Sequence, residues 1–235
     1  MARGLNSLFV YFDGQDQAMN TEQIAAIRKD YQHACLHESD AGDEPMALFR
    51  RWFDEAVHAQ VSEVNAFSLS TINEAGRPSA RILLLKGIEH DGFTFFTNYQ
   101  SAKGQDIEQR SAVALVFLWA PLERQVRIEG FALKVSDEES DDYYRSRPLG
   151  SRLGAWASPQ STVIASRDVL EAEEARYKAQ WGDSPPRPPH WGGYRVVPDM
   201  IEFWQGRSSR LHDRLRYRRA APSAQAPWQR ERLAP

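Results

Sequence analysis

From Ala66 onward the chain alternates apolar and polar positions with a period of two, and each run stops at a turn. AFSLSTI (66–72) ends in NEAG, SARILLLKG (79–87) ends in HDG, and FTFFTN (93–98) follows. AVALVFLW (112–119) and RQVRIEGFALKV (124–135) are joined by APLE. A period of two sends alternate side chains to opposite faces of a strand. Strands joined by turns this short are antiparallel, and five in succession predict a meander closing into a barrel. GGYRVVP, MIEFWQG and RLRYRR predict further strands near the end.

Ahead of these strands the period is 3.6. In TEQIAAIRKDYQHACL, Ile24, Ile27, Tyr31 and Cys35 recur at helical spacing behind Thr21 as a cap. Cys35 on that face reads as a small buried hydrophobe, ahead of any catalytic role. A second helix is predicted from DEP (43–45) through MALFRRWFDEAV, with Phe49, Trp52, Phe53 and Ala56 facing inward. SDEESDDYYRSR (136–147) predicts a helix with a capping box, Ser136 pairing with Glu139. RDVLEAEEARYKAQW (167–181) predicts an amphipathic helix, and the proline-rich GDSPPRPPH is too short for an interdomain linker. Residues 1–18 follow no period, so the natural start is expected at Met19, with the first 18 a disordered or misassigned extension. Residues 19–235 read as one mainly β domain, an antiparallel barrel with flanking α-helices.

Composition narrows the function. Apolar residues at 42% and aromatics at 11% supply an ample core for 235 residues. A net charge of −3 argues against wholesale nucleic-acid or membrane-surface binding, so any anion site must be local. No apolar run approaches the roughly 20 residues of a membrane span. The single Cys35 excludes an intramolecular disulfide and suits a reducing compartment. With no secretory architecture at the start, a cytoplasmic location is expected.

The common nucleotide, hydrolase and zinc motifs are absent (GxGxxG, GxxxxGK[ST], GxSxG, HExxH, CxxC), and the histidines lack metal-ligand spacing. What remains is a set of cations at strand ends and helix faces. Arg81 and Lys86 bracket four apolar residues, and each alone marks where a strand reaches water. Their odd separation puts them on opposite faces of an ideal strand, so a shared site needs a bulge or a second subunit. Tyr143 and Arg147 share a helix face, Arg147 ends that helix before Pro148, and Ser151 follows. That trio suits a phosphate, which guanidinium binds bidentately, and Arg147 equally suits the carbonyls of a helix end. EFWQGRSSRLHDR (202–214) crowds Arg207, Arg210 and Arg214 beside Phe203, Trp204 and His212. Such like charges gain from an anion or a flat ring, not from one another.

RILLLK, FFTN, RQVRIEG, YYRSRP, SRLGAWASPQS, WGGY, EFWQG, RLHDR and the final ERLAP, in that order, resemble the pyridoxine/pyridoxamine 5′-phosphate oxidases. The resemblance runs from about Ile24 to Pro235. It implies a homodimeric, FMN-binding split β-barrel with FMN at the subunit interface. It also implies oxidation of pyridoxamine 5′-phosphate and pyridoxine 5′-phosphate to pyridoxal 5′-phosphate, with O2 as acceptor and H2O2 as product. By the same resemblance, the FMN set comprises Arg81, Ile82, Leu83, Leu84, Leu85, Lys86, Phe96, Thr97, Lys103, Gln125, Gln160, Ser161, Trp204 and Arg214. The substrate set comprises Lys86, Tyr143, Arg147 and Ser151 at the phosphate, Arg210, Leu211 and His212 at the pyridine ring, and Arg28 and Tyr31 on a closing N-terminal segment. Arg210 and His212 are the implied catalytic pair. One position departs from the pattern: the family's Ser-Arg-Lys-Gly run is SAKG here, with Ala102 in place of a phosphate-side cation. Two other readings stay open, an oxidase of the same flavin barrel acting on a phenazine-type ring, and a flavin- or pyridoxal-phosphate-binding module without catalysis.

Overall fold

The computed structural model describes residues 20–27, 30–31, 34–220 and 226–235. Two compact units divide the chain, residues 1–30 and 31–235. In the first, helix α1 (Thr21–Ala26) is capped one residue earlier than the sequence suggests. Asn20 accepts from the Gln23 N–H at 2.8 Å, and the Gln23 side chain accepts from the Asn20 N–H at 2.9 Å. Ile27 is extended, so the helix stops well short of Cys35, and Cys35 is exposed, not buried as its spacing suggests. The expected extension 1–18 and Arg28 lie outside the described residues.

The second unit carries helices α2 (Glu38–Ala41) and α3 (Pro45–His58), then strands β1 (Ala66–Ile72), β2 (Pro78–Leu84), β3 (Gly87–Glu89) and β4 (Gly92–Asn98). Helix α4 (Ala102–Gln109) leads into β5 (Ala112–Trp119) and β6 (Arg124–Lys134). Helices α5 (Asp137–Ser146), α6 (Leu149–Ala157) and α7 (Asp168–Trp181) precede β7 (Trp191–Gln205), β8 (Asp213–Arg218) and β9 (Gln229–Arg232). Among the described residues these strands form one antiparallel sheet in the order β2-β1-β5-β6-β7-β4-β3, with β8 on β7 and β9 on β8.

The order is not the simple meander that the short turns predict, because β4 pairs with β7 and β5 with β1. Closure comes instead at the two ends of the path. Strands β2 and β3 are separated by only Leu85 and Lys86, and the chain changes partner between them. The Leu85 N–H donates to Asn65 O, beside β1, and the Lys86 N–H donates to Thr94 O of β4, both at 2.8 Å. A covalent link between the terminal strands forces the sheet to curl into a barrel.

Alternation fills the barrel as predicted. Phe67 and Leu69 of β1, Leu115 and Phe117 of β5, and Val126 and Ile128 of β6 are buried. Helix α3 closes one end through Phe49, whose ring lies 4.8 Å from Phe93 and 5.2 Å from Phe117. The late run from Trp191 to Gln205 is one strand, not two, although Pro198 interrupts its pattern. A register shift beside Gly130, which faces Pro198, absorbs a residue that has no N–H to donate.

Candidate active site

A cavity of about 670 Å³ opens between β2, β4, α5 and α6. Ile82, Leu83, Leu84 and Lys86 line one side; Phe96, Thr97, Lys103 and Gln160 line another; Tyr143, Arg147, Ser151 and Trp191 complete it. The volume suits a cofactor or a cofactor with a small substrate. Ile82 and Leu84 are exposed, a reversal of the buried strand that four successive apolar residues imply. Strand parity explains both this and the placement of the cations. Ile82, Leu84 and Lys86 present their side chains to the cavity together with the half-buried Leu83, whereas Arg81 does not line it. Arg81 donates to Thr71 Oγ1 at 2.7 Å and Ser79 Oγ at 2.8 Å, and lies 3.9 Å from Asp106. Leu85 is buried in the core, and neither it nor Ser161 lines the cavity.

Lys103 is a buried cation with neutral partners. Ser101 caps α4 by accepting from the Gly104 N–H. The Lys103 Nζ donates to Gln160 Oε1 at 3.0 Å, Ser101 Oγ at 3.1 Å and Thr97 Oγ1 at 3.3 Å. Burial, reinforced by the charge of Arg81, pushes its pKa down to about 8. Such a site favours the arrival of an anion. Ala102, beside it, is exposed at the first position of α4.

At the other wall, Ser136 accepts from the Glu139 N–H at 3.1 Å and caps α5, but the reciprocal half of the expected capping box does not form. The Glu139 carboxylate accepts from Arg195 at 2.8 and 2.9 Å. Arg147 follows the last turn of α5, and burial lowers its pKa while Tyr143 and Tyr144 oppose the shift. Its Nη1 is buried without a hydrogen-bond partner, and no carboxylate pairs with it among the described residues. A helix-end arginine satisfied by carbonyls would not leave Nη1 without a partner.

The remaining expected residues form a second cluster that does not line this cavity. Gln125, Trp204 and Arg214 are direct cross-strand neighbours on β6, β7 and β8. Glu202, buried, accepts from Arg214 Nε at 2.9 Å and from Arg127 at 3.3 Å. Trp204 lies 4.6 Å from His212, and Tyr31 meets both edge-on at 5.6 and 5.8 Å. His212 Nδ1 accepts from the Arg207 N–H at 3.1 Å, which leaves Nε2 to carry the proton of the neutral ring. Ser209 and Arg210 adopt left-handed backbone with φ of 56° and 59°. That conformation costs about 1–2 kcal/mol per residue and is usually retained where a side chain must be aimed. Arg210 and Leu211 are exposed at this turn.

Asp213 ties this turn to distant segments. It accepts from the Leu36 N–H at 3.0 Å, from Arg207 at 3.1 Å and from Arg232 at 2.8 Å. Burial would raise its pKa, but these donors outweigh it and hold the carboxyl below its usual range. Motif spacing singles out neither this hub nor Trp191; both depend on contacts between segments far apart in sequence.

A family model described as pyridoxamine 5′-phosphate oxidase matches residues 53–181, and one described as the pyridoxine 5′-phosphate oxidase C-terminal dimerisation region matches residues 191–235. The pyridoxine/pyridoxamine 5′-phosphate oxidase 1 of Ralstonia nicotianae is 58% identical over 212 residues, covering 90% of this chain and 99% of the relative. The pyridoxine/pyridoxamine 5′-phosphate oxidase of Cupriavidus pinatubonensis is 57% identical over 213 residues, covering 91% and 99%. Among solved structures, PhzG from Burkholderia lata 383 in complex with tetrahydrophenazine-1-carboxylic acid has a TM-score of 0.78 at 33% identity, covering 85% of this chain and 98% of that one. A pyridoxamine 5′-phosphate oxidase-related, FMN-binding protein from Nostoc punctiforme shares the fold, with a TM-score of 0.63 at 20% identity over 80% of this chain and 97% of that one.

Proposed function

Because the chain belongs to the pyridoxamine 5′-phosphate oxidase family, we propose that it binds FMN and oxidises pyridoxamine 5′-phosphate and pyridoxine 5′-phosphate to pyridoxal 5′-phosphate. O2 is the acceptor in this reading and H2O2 the second product. The observation that carries it is Arg147, a half-buried arginine whose Nη1 is buried without a hydrogen-bond partner, on a cavity wall shared with Lys86, Tyr143 and Ser151. A phosphate ester supplies the oxygens that such a donor lacks.

The other wall fits FMN. Exposed Ile82 and Leu84 offer apolar cover for a flat ring, and Lys103, Thr97 and Gln160 offer polar contacts and a cation for its phosphate. When bound, FMN supplies a two-electron acceptor for the hydride leaving C4′ and returns those electrons to O2. The chain's own residues supply anchoring, orientation and charge. Lys86, Tyr143, Arg147 and Ser151 hold the phosphate away from the reacting carbon, so anchoring energy becomes alignment. Arg210 supplies positive charge over the pyridine ring. His212 offers its Nε2–H as a donor near the 4′ substituent, since Nδ1 is engaged by the Arg207 N–H.

The Trp204, Arg210, His212 and Arg214 cluster does not line its own chain's cavity. In a homodimer, a second copy supplies it, a reading supported by the match of residues 191–235 to a dimerisation region. The PhzG neighbour keeps a phenazine-type substrate as the second reading. The unpartnered Arg147 favours a phosphorylated substrate, as do the curated relatives at higher identity. The test is oxygen uptake by the FMN-loaded protein. Pyridoxamine 5′-phosphate should consume O2 with matching yields of pyridoxal 5′-phosphate and H2O2, whereas turnover confined to a phosphate-free ring acid would overturn the reading.

A further inference from the structure

The wall that presents Arg147 is built on bare backbone. Gly193 of β7 faces Phe96 of β4 in register, and a Cβ at Gly193 would come within 2.7 Å of Phe96 Cε1. The missing side chain lets the Phe96 ring lie close over the strand. Two residues earlier on β7, and therefore on the same face, Trp191 lies 5.7 Å from Phe96 with 13° between their planes. Tyr143 stacks on Phe96 at 3.9 Å and 18°, and stands 6.2 Å from Trp191 at 6°. Three nearly parallel rings thus form one platform along the cavity. Trp191 is itself held from both sides. Its N–H donates to Pro188 O at 3.0 Å, and its carbonyl accepts from Arg187 at 2.7 Å.

The guanidinium carbon of Arg147 lies 4.5 Å from the Trp191 ring centroid. Tyr144 is the other ring in reach, farther away at 6.0 Å. With no carboxylate partner among the described residues, Arg147 would otherwise lose its orientation to rotamer entropy. An indole face is the strongest of the aromatic partners for a guanidinium, and more so away from water.

We propose that Trp191 is the positioning residue that fixes Arg147 for the phosphate ester of the substrate, and so sets the preference for phosphorylated over unphosphorylated ligands. This rests on the oxidase reading above. Trp191 is assigned no part in the reaction at C4′; it acts through the guanidinium stacked on it. Its removal should therefore weaken capture of the phosphate and spare the turnover of substrate once bound.

The experiment uses FMN-loaded protein and compares pyridoxamine 5′-phosphate with pyridoxamine, for the parent and for Trp191→Leu, Trp191→Phe and Arg147→Ala. Trp191→Leu should raise KM for the phosphorylated amine about tenfold, the scale of a desolvated cation–π contact, with kcat nearly unchanged. Its kcat/KM for pyridoxamine should fall far less than that for the phosphorylated amine. Trp191→Phe, which keeps a weaker π face, should fall between, and it decides the question if the leucine variant does not fold. Equal losses on both substrates would show a structural role and overturn the proposal, as would an unchanged KM. Arg147→Ala separates the two levels. If it abolishes the preference for phosphate while Trp191→Leu and Trp191→Phe keep it, only the role of Trp191 fails. If Arg147→Ala keeps the preference too, the phosphate site fails, and Trp191 with it.

Discussion

Replacing Lys103 by Met keeps most of the side-chain length and removes the charge. In the folded chain this ammonium is 8% exposed and touches three neutral oxygens, with the positive Arg81 adding to the cost of charging it. A buried cation without a counter-ion contributes little to the flavin-free fold and a great deal to an incoming phosphate. The melting temperature of the flavin-free variant should therefore hold or rise. FMN affinity should fall by the value of a charge-assisted hydrogen bond, about 1.5–3 kcal/mol, or roughly ten- to 150-fold. The pKa near 8 adds a second signature. Below pH 8 the parent meets FMN already protonated. Above it, binding must take up a proton, so affinity should fall by up to about tenfold per pH unit. The flavin-free parent should show the opposite trend in stability. A lysine pKa lowered from 10.5 to about 8 leaves the unfolded chain binding more protons across that window, so the fold gains stability as pH rises through it. Quenching of FMN fluorescence at pH 7, 8 and 9, with parallel thermal melts, reads both effects. Equal FMN affinity in parent and variant, or the same pH slope in both, would refute the reasoning.

Three further perturbations probe the rest of the site. Arg147→Ala should lower kcat/KM for pyridoxamine 5′-phosphate by about 1.5–3 kcal/mol, mostly through KM, as steady-state kinetics will show. Ala102→Arg should tighten FMN no more than about tenfold, because ordering its side chain costs up to about 2 kcal/mol against a charge-assisted hydrogen bond of about 1.5–3 kcal/mol. FMN dissociation at two salt concentrations measures it. Asp213→Asn should cost about 1–3 kcal/mol of stability at neutral pH, since it removes the carboxylate that Arg207 and Arg232 share. Because the folded carboxyl titrates below its usual value, the parent's advantage is full above the unfolded pKa and disappears as pH falls through the folded one. Thermal melts across that range check the sign.

Local signals were legible in the sequence. The alternation of 66–72 and 112–119 matches β1 and β5, and Ser136 caps α5 where the motif places it. The end of α5 at Arg147, before Pro148, was equally plain. Closure of the sheet was not, because the partner switch at Leu85 and Lys86 is a long-range pairing with no local pattern. Pro198 hid the continuity of β7, since only the bulge opposite it makes a proline acceptable there. The spacing of Ile24, Tyr31 and Cys35 misled because helical periodicity persists beyond the point where the backbone turns extended. In the site, Lys86 lines the cavity and Arg81 does not, in keeping with their odd separation, and Tyr143 and Arg147, four apart, line the same cavity. Trp191 escaped notice because its value lies in rings from two strands and a helix that meet only after folding.

The account stands or falls on whether a phosphorylated B6 amine reduces the bound flavin. Anaerobic mixing of the FMN-loaded protein with pyridoxamine 5′-phosphate should bleach the flavin absorbance and release one pyridoxal 5′-phosphate per FMN, while unphosphorylated pyridoxamine at the same concentration should reduce the flavin far more slowly. A flavin that stays oxidised with the phosphorylated amine, or is reduced equally fast by both, would contradict it.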